Sequence, residues 1–192
     1  MDDILILSSP RPSRADAIKN RELLIQTAQR LFSENGVDSV TMSDVAEAAG
    51  VGKGTLYRHF SNKTDLCREL IDQDQRDLQD RTLARLRSGG DPLTNLEWFL
   101  REVVAFVARN RALAFAESSL GSLLDHPAHL WWRQTVRGLL RAVKPRINID
   151  DAADVFFVML DPRTIHYQMT SRSYSFEQVA EALVTLLYQI IQ

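Results

Sequence analysis

A short segment rich in hydrogen-bond donors lies between Lys53 and Phe60 of this 192-residue chain. Leu56 and Phe60 are four residues apart, so in a helix they share one face and turn inward. The polar side chains then face outward: Lys53, Thr55, Tyr57, Arg58 and His59. Such side chains donate hydrogen bonds to phosphates and to base edges in a DNA groove. A small helical module with a merely solvated polar face is the alternative interpretation.

The preceding segment predicts a second short helix that would position these donors. Residues 41–50 begin with hydroxyl side chains, carry acidic residues in the first turn, and end in small apolar residues before Gly50. Hydroxyl caps and early acidic residues are typical of a helix start, and a glycine permits a tight corner. The pattern predicts a helix-turn-helix, preceded by a first helix that ends at Asn35-Gly36.

The rest of the chain has helical periodicity throughout. We expect helices over residues 64–87, 93–109, 111–124, 128–143, 150–170 and 176–191, with a break near Asp161-Pro162. No segment alternates as a strand would, and no Asn-Gly or Asp-Gly turn joins two apolar runs. The expected fold class is therefore all-α.

Composition limits the functional classes and the compartment. The hydrophobic fraction of 45% and the charged fraction of 25% are those of a globular protein. A single cysteine, Cys67, excludes an intramolecular disulfide and indicates a reducing compartment. The N-terminus lacks the basic region of a signal peptide, and no apolar run reaches the ~18 residues of a membrane span. We expect a soluble, cytoplasmic protein without a membrane partner.

Net charge gives no overall reason to expect nucleic acid, because it is −2. Its distribution is uneven, however. Residues 11–63 carry an excess of basic side chains, whereas residues 64–192 carry an excess of acidic ones. Arg11, Arg14, Lys53, Arg58 and Lys63 fall on the N-terminal arm, the donor-rich segment and the turn after it. This placement favours DNA as a partner of the N-terminal region.

Residues 41–63, TMSDVAEAAGVGKGTLYRHFSNK, resemble the DNA-binding signature of the TetR family of bacterial transcriptional regulators. The similarity covers about residues 16–70. It implies a homodimeric repressor that binds a double-stranded DNA operator and is released by a small molecule. The implied domains are a flexible basic arm over residues 1–15, a three-helix helix-turn-helix DNA-binding domain over 16–63, and a helical ligand-binding and dimerisation domain over 64–192.

The resemblance also implies a role for each residue of the motif. Thr41 and Ser43 would anchor the start of the second helix on the DNA backbone, where a helix N-terminus favours phosphate. Lys63 would contact a phosphate further along, and Gly54 would allow close approach of the backbone. The remaining residues would occupy the major groove or its walls: Lys53, Thr55, Tyr57, Arg58 and His59. Val51 and Gly52 depart from the family pattern, which often has a hydroxyl residue there.

The C-terminal part holds most of the aromatic side chains, which could line a pocket for an unidentified, largely apolar small molecule. The predicted pocket residues are Trp98, Phe106, Phe115, Trp131, Phe157, His166 and Tyr167. A packed core is the alternative interpretation. Two segments, 154–160 and 176–191, are apolar around most of their circumference, which predicts a four-helix dimer interface. Its predicted residues are Phe156, Met159, Val179, Leu183, Leu186, Leu187 and Ile190.

No metal, other cofactor or catalytic activity is expected. Asp125, His126 and His129 are ligand types, but their spacing across Pro127 does not give a reliable i, i+4 pair. The chain has no recognisable nucleophile–base motif or phosphate loop. Two alternatives to a ligand-released repressor remain: an all-α enzyme that carries a helix-turn-helix, and a regulator without a small-molecule inducer.

Overall fold

The computed structural model describes residues 14–115 and 127–191, and within these ranges all regular secondary structure is helical. The helices are α1 (Arg14–Asn35), α2 (Met42–Ala48), α3 (Lys53–His59), α4 (Lys63–Ser88), α5 (Pro92–Phe115), α6 (Pro127–Val143), α7 (Ile149–Met159), α8 (Pro162–Ser171) and α9 (Phe176–Ile190). The chain divides into two compact units between Leu66 and Cys67. None of the described helices is long and apolar enough to cross a membrane.

The N-terminal unit is a three-helix module whose apolar stripes meet. Its buried side chains come from α1, α2, α3, the intervening turns and the first turn of α4: Leu24, Ile25, Ala28, Phe32, Val37, Val40, Met42, Val45, Ala46, Leu56, Phe60 and Leu66. Helices α1, α2 and α3 all contact one another. The predicted inward orientation of Leu56 and Phe60 is confirmed.

The corner between α2 and α3 depends on a backbone conformation that suits glycine. Gly50 has a φ of 66°, in the left-handed region. Two hydrogen bonds close the end of α2, from the Gly50 amide to the Glu47 carbonyl and from the Val51 amide to the Ala46 carbonyl, both at 3.0 Å. This pattern satisfies the last carbonyls of α2 and turns the chain sharply. The corner therefore sets the direction in which α3 leaves α2.

The C-terminal unit is a bundle centred on α5, which packs against α6, α8 and α9, while α6 also packs against α7. Its core contains Phe99, Trp132 and Phe156 among many aliphatic side chains. The break predicted at Asp161-Pro162 is confirmed, because α7 ends at Met159 and α8 begins at Pro162. A break predicted at Asn110 is wrong: α5 continues to Phe115. The Asn110 amide donates to the Phe106 carbonyl at 2.9 Å, so this polar side chain is accommodated within the helix.

Burial corrects the predicted dimer interface. Phe156, Val179, Leu183 and Leu187 are buried in the core of the C-terminal unit itself, so they hold its own helices together rather than facing a partner subunit. Helices α7 and α9 each have one face in the core and one face at the surface. Both faces carry apolar residues, so the sequence does not distinguish them. The other three predicted residues, Met159, Leu186 and Ile190, are half-buried at the edge of this core.

Candidate nucleic-acid interface

Helix α3 presents a polar, exposed face on an apolar base. Lys53, Gly54, Tyr57 and Arg58 are exposed, and half of the Tyr57 surface is accessible to solvent. On the opposite side, Leu56 is completely buried in the module. The predicted donors are thus held on a helix that is fixed from behind, which is the arrangement needed for groove recognition.

Two donors of α3 are tied to neighbouring groups. The Arg58 guanidinium donates to the Thr55 hydroxyl at 3.0 Å, which orients the arginine along the helix surface. His59 is half-buried, and its pKa is lowered first by burial and then by the positive charges of Arg21 and Arg58. A lowered pKa keeps the imidazole neutral at pH 7, so His59 offers one N–H donor rather than a full charge.

Arg21 is a residue of this site that the sequence analysis missed. Its guanidinium carbon lies 5.4 Å from the centre of the Phe60 ring, and its charge acts on His59. The residue is remote in sequence, on α1, so the motif around α3 does not indicate it. The available signal is its spacing from Leu24 and Ala28, which places Arg21 on the same helical face as the buried residues of α1.

Thr41 and Ser43 lie at the start of α2. Thr41 is the N-cap, and a reciprocal pair of hydrogen bonds joins it to Asp44: the Asp44 amide donates to the Thr41 hydroxyl oxygen, and the Thr41 amide donates to the Asp44 carboxylate. The pKa of Asp44 is lowered first by the hydrogen bond from the Thr41 amide to the carboxylate and then by one from the Thr41 side chain. A phosphate contact by Thr41 stays a prediction, and its hydroxyl would have to turn from the Asp44 carboxylate to make that contact. Thr41 is exposed and Ser43 is half-buried.

Lys63 has a contact within its own unit that the sequence did not indicate. Its ammonium nitrogen lies 3.5 Å from the Asp38 carbonyl oxygen and 5.8 Å from the centre of the Phe32 ring. The side chain therefore helps to hold the turn after α1 against the start of α4. A phosphate contact by Lys63 stays a prediction, and it would use the donor hydrogens that Asp38 leaves over.

Two predicted pocket residues, Phe106 and Phe157, belong to one chain of ring contacts in the C-terminal unit. Phe106 meets Trp132 at 5.6 Å, Trp132 meets His129 at 4.4 Å, and His129 meets Phe157 at 6.4 Å between ring centres. All three pairs are edge-on, a favourable geometry for aromatic rings. Trp132 and His129 thus lie between Phe106 and Phe157 in this chain.

The other predicted pocket residues lie apart from this chain. Trp98 lies under the Arg85 guanidinium at 4.9 Å, and Trp131 packs edge-on against Phe99 at 5.6 Å. Tyr167 is 58% exposed, which excludes it from an interior pocket, because its position on α8 turns it to the surface. His166 is half-buried on α8. The side chain of Phe115 lies outside the described part of the structure.

The described residues contain no metal-ligand cluster, and the groove that they form is charged. They hold no group of three or more His, Cys, Asp or Glu side chains that could bind a metal, and Asp125 and His126 lie outside them. An open groove of about 510 Å³ is lined by Asp74, Asp77, Asp80, Arg81 and Arg109. Asp74 in this groove is already bonded to Arg109 and Asn110. The groove is charged and shares no residue with the predicted pocket.

Comparison with known proteins identifies the N-terminal module. Residues 24–70 match the family model described as bacterial regulatory proteins, tetR family. An HTH-type transcriptional regulator from Staphylococcus aureus (strain bovine RF122 / ET3-1) is 48% identical over 61 residues, which are 32% of this chain and 33% of that relative. The match thus spans about a third of the length of the curated relative and lies in the region that carries the motif.

Solved structures extend the similarity to both units. A TetR-family transcriptional regulator from Pectobacterium atrosepticum has a TM-score of 0.71 at 18% identity, with coverage of 93% of this chain and 97% of that one. The regulator FadR from Bacillus subtilis in complex with stearoyl-CoA has a TM-score of 0.63 at 19% identity, with coverage of 89% and 99%. At these identities the similarity establishes the fold. The predicted all-α class, with an N-terminal helix-turn-helix and a larger helical domain, is confirmed.

Proposed function

We propose that this chain, whose N-terminal domain belongs to the tetR family of bacterial regulatory proteins, is a homodimeric transcriptional repressor that a small molecule releases from a palindromic DNA operator. The observation that carries the proposal is the exposed donor face of α3, fixed from behind by Leu56 and Phe60. Lys53, Tyr57 and Arg58 project from that face and would enter the major groove. Thr41 and Ser43, at the start of α2, would contact the phosphates that border the groove.

The donor face should distinguish DNA sequences only in part. Arg58 is held by Thr55, and the two side chains together offer a preoriented guanidinium to a guanine edge or a phosphate. Lys53, at the first position of α3, would contact a phosphate and contribute to salt dependence rather than to sequence preference. Gly54 has no heavy atom within 4 Å of a would-be Cβ, so the space above it is open to a close DNA backbone.

Replacing Tyr57 with alanine is expected to weaken operator binding by about 1–3 kcal/mol, or roughly 5- to 150-fold, because the variant loses a groove contact of α3. The operator would first be selected from random duplex DNA with the wild-type protein. Affinity would then be measured by fluorescence anisotropy at fixed salt, since protein–DNA affinity depends strongly on salt.

Tyr167→Ala is a matched control, because Tyr167 is a tyrosine of similar exposure in the C-terminal unit. It should bind the selected operator as the wild type does. Equal affinities of Tyr57→Ala and the wild type would remove Tyr57 from the proposed interface. Failure of the wild type to enrich any duplex would overturn the DNA-binding function itself.

The proposal that a ligand releases the operator is supported by the continuity of α4. This helix runs from Lys63 to Ser88, so its first turn belongs to the N-terminal unit and the remainder to the C-terminal unit. The two recognition helices of a dimer must lie about one turn of DNA apart, roughly 34 Å. A ligand that displaces α4 in each subunit would disturb this spacing. A coupling of about 1–3 kcal/mol would change operator affinity 5- to 150-fold.

The dimer is proposed on apolar side chains that the C-terminal unit leaves exposed. Val155 and Val158 on α7, and Phe176 and Tyr188 on α9, are each at least two-fifths accessible to solvent. These helices also carry the half-buried Met159, Leu186 and Ile190. An isologous pairing with a second copy would bury such a surface, and closed two-fold dimers are the commonest soluble assemblies.

Val158→Glu is expected to convert the dimer into a monomer in sedimentation velocity at micromolar concentration, because a charge would be buried without a partner at the two-fold interface. Thermal unfolding of the separated subunit should change little, since this side chain is 53% exposed. Gln134→Glu, an exposed change on α6, should leave the dimer intact. A Val158→Glu protein that remains dimeric would place the interface elsewhere.

A further inference from the structure

Gln75 of α4 is a buried residue whose side-chain oxygen is hydrogen-bonded and whose amide nitrogen, within the described part of the chain, is not. It is 6% exposed, and its side-chain oxygen accepts a hydrogen bond from the Trp132 indole nitrogen at 3.2 Å. Its amide nitrogen is buried and has no hydrogen-bond partner within the described ranges of the chain. Because buried polar groups are almost always hydrogen-bonded, such a donor calls for an explanation.

The orientation of this amide follows from its neighbour. An indole N–H can only donate, so the Gln75 oxygen must face Trp132, and the NH2 group must point the other way. Trp132 is held in place in turn, with Phe106 against one part of its ring and His129 against another. The donor therefore has a fixed position beside Trp132, an inner member of the chain of ring contacts described above.

The surroundings favour a neutral acceptor rather than an anion. Among the described residues, no lysine or arginine is buried that could compensate the charge of a buried carboxylate ligand. Asp161 supplies a buried negative charge already. Burial raises the pKa of Asp161, but hydrogen bonds from Arg163 and the charges of Arg163 and His129 outweigh this effect and keep its pKa below the usual range. Asp161 thus already takes up the hydrogen bonds that Arg163 gives to a buried carboxylate.

We propose that Gln75 recognises the ligand of this regulator, and that its amide N–H donates to the carbonyl oxygen of a neutral, largely apolar molecule such as a ketone, ester or lactone. The proposal rests on the ligand-responsive function proposed above and gives it a residue and a ligand class. Phe106 and Phe157, at the two ends of the ring chain, would contact the apolar part. Gln75 lies on α4, so a ligand bonded to it acts directly on the helix that continues into the N-terminal unit.

The test uses the full chain with two probes of equal length, 2-decanone and decanoate, at pH 7.5. The variant is Gln75→Leu, which removes the donor, with Gln75→Met as a second variant of similar shape. Gln73→Leu is the matched control, because Gln73 is an exposed glutamine on the same helix. Affinity would be measured by calorimetry, with thermal unfolding as a second readout.

We expect 2-decanone to bind the wild type and Gln73→Leu equally and to bind both Gln75 variants roughly tenfold more weakly, the effect of one lost hydrogen bond. Decanoate should bind the wild type more weakly than the ketone does. Equal ketone binding by Gln75→Leu and the wild type, or no ketone binding by the wild type, would overturn the proposal. Tighter binding of decanoate would overturn the neutral ligand class.

The same proteins separate this inference from the function on which it rests. Operator affinity would be measured with and without 2-decanone. Ketone binding that depends on Gln75 but leaves operator affinity unchanged would support the Gln75 site and overturn release by the ligand. Loss of operator affinity on ketone binding in the wild type, but not in Gln75→Leu, would support both.

Discussion

Replacing Phe156 with alanine is expected to lower the free energy of unfolding of the C-terminal unit by about 3–5 kcal/mol. The side chain is completely buried and belongs to the hydrophobic core of this unit. Truncation would remove its buried apolar surface and leave a cavity that the surrounding helices can close only in part. Urea unfolding followed by circular dichroism, with linear extrapolation, would measure the change.

Val158→Ala provides the comparison, because Val158 is on the same helix and is 53% exposed. Measured at a protein concentration low enough to keep the subunits separate, its effect on the free energy of unfolding should be within about 0.5 kcal/mol, as for most surface changes. If Phe156→Ala instead kept the stability of the wild type but lost the dimer, Phe156 would belong to the dimer interface, as the sequence analysis predicted. Stability should be compared at one protein concentration, because association contributes to it.

The contrast between these two residues explains why the interface was predicted less well than the motif. Helices α7 and α9 are apolar over more than half of their circumference, so periodicity indicates that each has a buried face but not which helix or subunit covers it. Phe156 and Val158 are two positions apart and differ completely in burial. The distinction arises from how α5, α6, α8 and α9 pack together, and no local signal in the sequence carries that information.

The helix-turn-helix was predictable because each of its determinants is local. Thr41 and Asp44 form a capping box three residues apart, Gly50 supplies the left-handed corner, and Leu56 and Phe60 are one helical turn apart. Such features act within a few residues and survive in the tertiary structure. Arg21 and the Asp38 carbonyl, by contrast, reach the module from distant positions. Their contacts with Phe60 and Lys63 required the packed module to be seen.

The aromatic residues show the same limit in the C-terminal unit. Their abundance indicated a pocket or a core, and the two interpretations differ only in which side chains meet. Gln75 was not singled out by the sequence, because a glutamine among the acidic and polar residues of α4 resembles its exposed neighbour Gln73. Its hydrogen bond to Trp132, 57 residues away, is what distinguishes it. Position in the packed bundle, rather than residue type, makes it a candidate for recognition.

Gly50→Val is expected to weaken operator binding by about 2–6 kcal/mol, or roughly 30-fold to more than 10⁴-fold. The φ of 66° at Gly50 lies in a region that a β-branched residue rarely adopts, and the strain is about 1–3 kcal/mol per position. To relieve it, the corner must open and α3 must turn away from its present direction. Binding DNA would then require restoring the corner in both subunits of the proposed dimer, which doubles the cost.

The measurement is anisotropy with the selected operator, together with circular dichroism to establish that the helices are retained. Gly52→Ser is the matched control two residues away: Gly52 is the N-cap of α3 with φ −65°, and nothing lies within 4 Å of a would-be Cβ. Serine is a favourable N-cap, so this variant should keep its affinity and gain a few tenths of a kcal/mol in stability. If Gly50→Val instead bound the operator as tightly as Gly52→Ser, the direction of α3 could not depend on the left-handed corner. Operator binding would then tolerate a range of α3 orientations. That result would contradict the proposal that two recognition helices must be held about 34 Å apart.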